Sequence, residues 1–304
     1  MNFDLSEDQL ALRDGIRRVC QGRFDMARVR GGFDRAVWAE LNDTGVFSLR
    51  ADGFGWADVS ITFQELGRAL VPGPLVWSHL AHGVVEGVVG GLERPAPGEP
   101  AIVEHRADLD ALAVIDDRGV ALIRQGQLDP GEPLNWPLDP LTPMERVGEL
   151  PTGEPIGDAG LAADWRQAGA LLTAAYEVGM AQECVERATG YALEREQFGR
   201  PIGSFQAVKH LLADLAVRAE VARAAVDAAA CTLDDPETGD ARRAVSGAKL
   251  LAGEAALGNA KGALQVYGGM GFTWEVDVHL YLKRAWVLNT VFGTPAAHAG
   301  ALVP

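Results

Sequence analysis

Cysteine is scarce in this chain: Cys20, Cys184 and Cys231 are the only three in 304 residues. They lie far apart and are odd in number, so they build no disulfide framework, and no Cys-x-x-Cys pair offers a metal clamp. A chain without disulfides suits a reducing compartment, and the cytoplasm is the expected location. The six histidines are scattered, with His79 and His82 the only close pair, too few to predict a metal centre. Positive charge is in deficit. Forty-two acids face 27 Lys and Arg, a formal net charge of −15. That balance argues against nucleic acid or an anionic membrane surface as partner, and it is what a solvated acidic surface produces. "MNFDLSEDQLALRDGIRRVC" lacks the basic segment and following apolar run of a signal peptide. No stretch of 18 uncharged apolar residues predicts a membrane span. The nearest is the tail after Arg284, which carries no charge but is interrupted by Gly293, Pro295 and Gly300; it is expected to pack against protein.

What is present is ordinary globular material, 48% hydrophobic and 23% charged, enough to bury a sizeable core. Residues 1–90 read as helical. Ser6 and Gln9 form a capping box. "FDRAVWAELNDTGVFSLR" predicts a second helix that stops near Asn42–Gly45. A third places Ile61, Phe63, Leu66 and Leu70 on one face and ends before Pro72. Residues 91–158 differ, with Pro and Gly clusters and two strands expected around Asp116–Gly119. From 159 to 304 the pattern returns to long helices, with Ala168, Leu171, Leu172, Ala175 and Gly179 among the residues recurring at three- and four-residue spacing. Such helices, rich in small residues, pack as an antiparallel bundle.

Two stretches carry chemistry. In "EREQFGRPIGSFQAVKH", residues 194–210, a long helix is expected to stop at Phe198-Gly199 and another to restart near Ser204, which sits where an N-cap would sit. Arg195 falls in the last turn of one helix and Gln206 in the first turn of the next. An Arg beside a helix N-terminus suits a phosphate or pyrophosphate; the other reading is a plain helix hairpin with a surface Arg. In "ALQVYGGMGFTWEVDVHLYLKRA", residues 263–285, Gly268, Gly269 and Gly271 break the chain after a helix. A Rossmann fingerprint would follow a strand. These glycines either let a backbone or flat ligand come close or form an elaborate helix C-cap.

Together "REQFGRPIGSFQAVKHLLADLA" and "LQVYGGMGF" closely resemble the acyl-CoA dehydrogenases, which are flavoproteins, and "LSEDQLALRD" and "ITFQELGRALVPGPL" extend the likeness. The implied fold is mainly α: an N-terminal helical domain over 1–90, a shortened small β domain over 91–158, and a C-terminal four-helix-bundle domain over 159–304. The resemblance implies that Arg195, Phe198 and Gln206 hold the pyrophosphate and adenine end of FAD, and that Gln265, Val266, Tyr267, Gly268 and Gly269 also touch it. It further implies that the FAD so held sits mainly in the neighbouring subunit.

The chemistry of that family needs a carboxylate near the substrate α-carbon, to take a proton while the β-hydride passes to flavin. Its Tyr-Glu-Gly-Thr motif falls ungapped on Val291-Phe292-Gly293-Thr294, which puts Phe292 in place of the base. The family's other base position falls on Gly169. The Thr-Glu-Pro…Gly-Ser-Asp loop and the Trp-containing segment that cradle the flavin ring have no match between Pro74 and Gly160, and Trp136 reads as a packing residue. The expectation is a non-catalytic subunit resembling the smaller subunits of α2β2 dehydrogenases of actinobacterial steroid catabolism. A full-length partner subunit would carry the base and hold most of the acyl-CoA, with an electron-transfer flavoprotein as acceptor. Two alternatives stay open. One is a self-sufficient homomeric enzyme with a displaced base drawn from Glu177, Glu275 or Asp277, of which Glu177 reads as part of a solvated helix face and the other two as capping or surface acids. The other is a structural or regulatory protein outside redox chemistry, which the retention of Arg195 and Gln206 disfavours.

Overall fold

The computed structural model describes residues 4–303. Five helices come first: α1 (Glu7–Arg23), α2 (Met26–Arg30), α3 (Arg35–Asp43), α4 (Trp56–Arg68) and α5 (Leu75–Leu80). Seven strands follow: β1 (Val89–Glu93), β2 (Ala101–Glu104), β3 (Ala111–Asp116), β4 (Gly119–Arg124), β5 (Glu132–Pro133), β6 (Met144–Val147) and β7 (Glu154–Asp158). The long α6 (Ala159–Glu194) leads to the short strands β8 (Glu196–Gln197) and β9 (Arg200–Pro201). The chain ends with α7 (Gln206–Asp234), α8 (Ala241–Tyr267), α9 (Val278–Leu288) and α10 (Pro295–Leu302).

The chain divides into two compact units, each assembled from separated stretches. One comprises 1–27, 55–71 and 170–304; the other comprises 28–54 and 72–169. The division falls inside α6.

The first unit is helical. Ser6 caps α1: its hydroxyl accepts from the Gln9 N–H at 3.2 Å, and the Gln9 side chain accepts from the Ser6 N–H at 3.1 Å, the reciprocal pair the sequence predicts. α4 has only Gly55 at its N-cap, and the Asp234 carboxylate at the far end of α7 accepts from the N–H groups of Trp56 and Ala57 at 2.7 and 3.0 Å. The orphan donors of one helix are thus met by the acid of another. α4 and α6 cross with backbones in contact, because a Cβ on Gly67 would run into the Tyr176 carbonyl and one on Gly179 into that of Gln64. At the C-terminal end of α4, the Arg68 carbonyl accepts from the Tyr281 hydroxyl at 2.8 Å and the Val71 carbonyl from Tyr176 at 3.0 Å. The tail is partly covered: α10 packs on α8 and Phe292 is buried, while Trp286 and Val303 stay exposed.

The second unit carries the sheets. A four-stranded sheet has the order β1-β3-β4-β7, parallel between β1 and β3 and antiparallel elsewhere. The β3–β4 hairpin turns at Asp116–Gly119, where two strands are expected from sequence. A three-stranded antiparallel sheet has the order β2-β6-β5. Leu112 and Ile115 of β3 and Leu122 and Ile123 of β4, in the four-stranded sheet, are fully buried. Trp136 departs from the packing role read from the sequence: it is 96% exposed, with φ +62° in a loop that precedes Pro137. His79 is buried in α5 and burial lowers its pKa to about 4, while His82 is exposed. Among the described residues no helix is long and apolar enough to cross a membrane.

Candidate functional site

The turn between α6 and α7 is tighter than the sequence suggests. α6 ends at Glu194, four residues before the expected stop, because residues 196–201 pair as the β8–β9 hairpin. Phe198 and Gly199 form its tip, with φ of +54° and +76°, the left-handed pair that a two-residue hairpin turn requires. A non-glycine residue there costs about 1 kcal/mol, yet Phe198 is 93% exposed and recovers little by burial. Phe205 stands edge-on to it at 6.1 Å, and the Arg200 guanidinium lies 4.2 Å over the Phe205 ring. Ser204 is not the N-cap. Residues 202–204 form a 3-10 turn, Phe205 takes the cap position, and no side chain caps α7. The first-turn N–H groups therefore lack a side-chain acceptor.

Arg195 follows directly on α6. Its N–H donates to the Tyr191 carbonyl and its carbonyl accepts from the Ile202 N–H, both at 2.8 Å. The backbone is fixed while the exposed guanidinium makes no hydrogen bond or ion pair among the described residues. An unpaired guanidinium, an uncapped helix N-terminus and the exposed Gln206 at its first position are the elements of an anion site.

The Gly-rich stretch continues α8 as a 3-10 turn over Gly268–Phe272. Gly268 has φ +63° and ψ −143°, open to glycine alone. A Cβ at Gly268 or Gly269 would meet nothing within 4 Å, so this backbone is bare on its outer side. Gln265 is exposed, Val266 is buried and Tyr267 is half-buried. Val266 thus faces the protein interior, and the outer surface of this segment is made by Gln265, Tyr267, Gly268 and Gly269. The structure brings the two motifs together. Tyr191, one turn ahead of Arg195, stacks on Tyr267 with centroids 4.1 Å apart and planes 14° apart.

The two positions that the resemblance assigns to the base are Phe292 and Gly169, and neither side chain is a carboxylate. Phe292 is buried at φ +56°, and its carbonyl accepts from His298 Nε2–H at 3.2 Å. Gly293, at φ +119°, lies so close to the His298 ring that a Cβ would collide with it. Thr294 caps α10 by accepting from the Ala297 N–H at 3.2 Å. Gly169 is buried in α6.

The acids weighed as substitutes are engaged or exposed. Glu177 is not on a solvated face; it is fully buried, with both carboxylate oxygens at 3.0 and 3.1 Å from Lys249 Nζ. The same amine donates to the Leu288 carbonyl at 3.1 Å. Burial pushes the Glu177 carboxyl up to about 7, with Lys249 pulling against it. A signal for this was present: from Ala168 to Ala181 the only charged residue is Glu177, and a lone charge in so apolar a stretch is paired when buried. Asp277 stands at the N-cap of α9, 3.7 Å from Arg187 Nη1, and Glu275 is exposed.

Comparison with known proteins bears on the family and the fold. Residues 167–302 match the family model of the acyl-CoA dehydrogenase C-terminal domain. The chain is 34% identical over 311 residues to acyl-CoA dehydrogenase IpdE2 of Mycobacterium tuberculosis, covering 92% of this chain and 91% of that protein. It is 47% identical to acyl-CoA dehydrogenase FadE34 of the same organism over 347 residues, which take in 95% of this chain and 46% of FadE34. Against FadE34, then, it spans about half the relative's length. Among solved structures it shares the fold of the ChsE4-ChsE5 complex from M. tuberculosis, with TM-score 0.84 at 23% identity, covering 99% of this chain and 97% of that one. On the IpdE2 match above all, the chain belongs to the acyl-CoA dehydrogenase family.

Proposed function

We propose that this chain is the non-catalytic subunit of a heteromeric, FAD-dependent acyl-CoA dehydrogenase, assembled as an α2β2 heterotetramer with a full-length subunit that carries the base. The observation that carries the reading is Phe292, a buried apolar side chain where the family's carboxylate falls. Phe has no atom that can accept the α-proton, so the step needs a base from another chain. Relatives supply support of a second kind. FadE34 is matched over 46% of its length, which fits a polypeptide that joins a unit like this one to a second, and the ChsE4-ChsE5 structure is a complex of two named chains.

The residues present suit the ADP end of FAD and not its ring. Among the described residues Arg195 has no partner competing for its guanidinium, α7 begins uncapped at Gln206, and Gly268 and Gly269 leave open space beside their backbone. We assign pyrophosphate contacts to Arg195 and the first turn of α7, and adenine-side contacts to Phe198, Gln206 and the surface of Gln265–Gly269. When bound, FAD supplies the hydride acceptor for α,β-desaturation of an acyl-CoA thioester. Arg195 places positive charge against the diphosphate, and the exposed hairpin tip offers Phe198 to a site completed by the partner. The acyl-CoA is held mainly by that partner, and an electron-transfer flavoprotein takes the electrons. The acyl group we propose is a steroid side chain, on the resemblance of the motifs to those of smaller subunits in steroid dehydrogenases. A displaced base within this chain is disfavoured, because Glu177 is locked to Lys249 and Asp277 lies against Arg187.

The test is co-expression with a candidate full-length partner. A co-purifying yellow complex that oxidises a steroid acyl-CoA, and loses that activity when the partner's base is changed to Gln, supports the reading. Dehydrogenation by this chain purified as a homo-oligomer overturns it.

A further inference from the structure

We infer that Tyr191 and Arg187, on successive turns of α6, are positioning residues that hold both ends of the Gly-rich loop 268–276 in register with Arg195. The inference rests on the reading that this loop and Arg195 serve one FAD site, and it says what fixes their spacing. The loop has local bonds of its own: Thr273 donates to the Met270 carbonyl through its N–H at 2.9 Å and its hydroxyl at 2.8 Å, and the Trp274 ring stands edge-on to His279 at 4.9 Å. Gly268, Gly269, Phe272 and Trp274 are exposed.

None of these bonds reaches the α6–α7 turn, and it is the two ends of the loop that are tied to α6. At the start, the Tyr267 ring lies on Tyr191 at 4.1 Å, and the Tyr267 hydroxyl donates to the Arg187 carbonyl at 3.3 Å. At the finish, Asp277 Oδ2 lies 3.7 Å from Arg187 Nη1. Arg187 is itself braced. Its Nε donates to Glu183 at 2.8 Å, and its guanidinium sits 5.5 Å over the ring of the fully buried Tyr281.

The anchor is shared with the anion site, because Arg195 donates its N–H to the carbonyl of Tyr191. One residue thus faces the loop with its ring and Arg195 with its backbone. Two ligand-facing segments from separate helices keep a fixed spacing only if something rigid joins them, and small displacements there are costly. The Tyr191–Tyr267 stack is that joint.

The experiment uses the heteromer purified with its full-length partner, comparing Tyr191→Leu, Tyr191→Phe and Arg195→Ala. FAD affinity is measured by fluorescence titration, and hydrogen exchange is followed across residues 267–277. An aromatic pair at the strong end of its range corresponds to about a tenfold change in affinity. Tyr191→Leu is expected to weaken FAD binding by about that factor and to speed exchange across the loop, with the mass of the complex unchanged. Tyr191→Phe, which keeps the stack, restores both. If Tyr191→Leu does not assemble, Tyr267→Phe removes only the hydroxyl bond to Arg187 and is expected to speed exchange in the same segment. Wild-type affinity and wild-type loop exchange in Tyr191→Leu overturn the positioning role, as does unchanged exchange in Tyr267→Phe where that variant stands in. Arg195→Ala separates the two levels. Weaker FAD binding there with a silent Tyr191→Leu defeats only the positioning role, whereas no effect of Arg195→Ala defeats the underlying functional reading and this role with it.

Discussion

Lys249 Nζ sits 3.0 Å from one carboxylate oxygen of Glu177 and 3.1 Å from the other, with Glu177 wholly sealed from solvent and Lys249 nearly so. The pair ties α6 to α8, and through the Leu288 carbonyl it also ties the end of α9, four residues ahead of Phe292. Removing one partner of such a pair leaves an uncompensated buried charge. Lys249→Met is expected to lower unfolding stability by about 3–5 kcal/mol. Replacing both, with Glu177→Leu and Lys249→Met, is expected to recover most of that loss. Urea denaturation of the three proteins checks it; a double variant as weak as the single would contradict it.

The same carboxyl sets a pH dependence. Burial raises Glu177 to about 7 in the fold, above its ordinary value near 4.3 in an unfolded chain. The native state therefore holds this proton more tightly. The contribution is fully present below the unfolded value and is lost as pH rises through about 7. Relative to Glu177→Gln, the wild-type protein is expected to gain stability as pH falls from 8 toward 5. A difference that stays flat over that range would remove the claim.

Restoring a carboxylate does not restore an enzyme. Phe292→Glu puts an acid into a buried position, at an expected cost of about 1–3 kcal/mol. On the proposed reading the partner cradles the flavin ring, so the isolated variant is expected to show no acyl-CoA dehydrogenation. Turnover by that variant, read with an artificial electron acceptor, would contradict the account.

The hairpin tip separates stability from function. Phe198 is exposed at φ +54°, so Phe198→Gly relieves backbone strain while losing an edge contact with Phe205. The two effects nearly offset, and the melting point of the isolated chain is expected to change by less than the equivalent of about 1 kcal/mol. Flavin retention by the heteromer is expected to fall severalfold. Equal losses in both measurements would make Phe198 a structural residue only.

Local chemistry was legible where it is local. The Ser6–Gln9 capping box and the turn at Asp116–Gly119 follow from short-range rules, and the structure has both. The restart at 205–206 was legible, but its cap was not: the 3-10 turn over 202–204 moves the boundary one residue, and Phe205 takes the position read for Ser204. The stop of α6 was misplaced because a two-residue strand has no periodic signature, so the pairing of 196–197 with 200–201 was invisible. Trp136 failed for a different reason, since apolar character alone does not bury a residue. Periodicity gave α6 an apolar stripe but not its burial on all sides from 168 to 181, and Glu177 was misread with it. The two motifs were readable by likeness to a family, but the inward turn of Val266 and the Tyr191–Tyr267 stack depend on how helices meet.

The claim at the centre is that this chain completes a flavin site it does not own. The direct measurement is flavin content, by absorbance at 450 nm after gel filtration, of the isolated chain, the heteromer and the heteromer carrying Arg195→Ala. The account predicts no flavin on the isolated chain, flavin on the heteromer and a marked loss in the variant. Stoichiometric FAD on the isolated chain would contradict it.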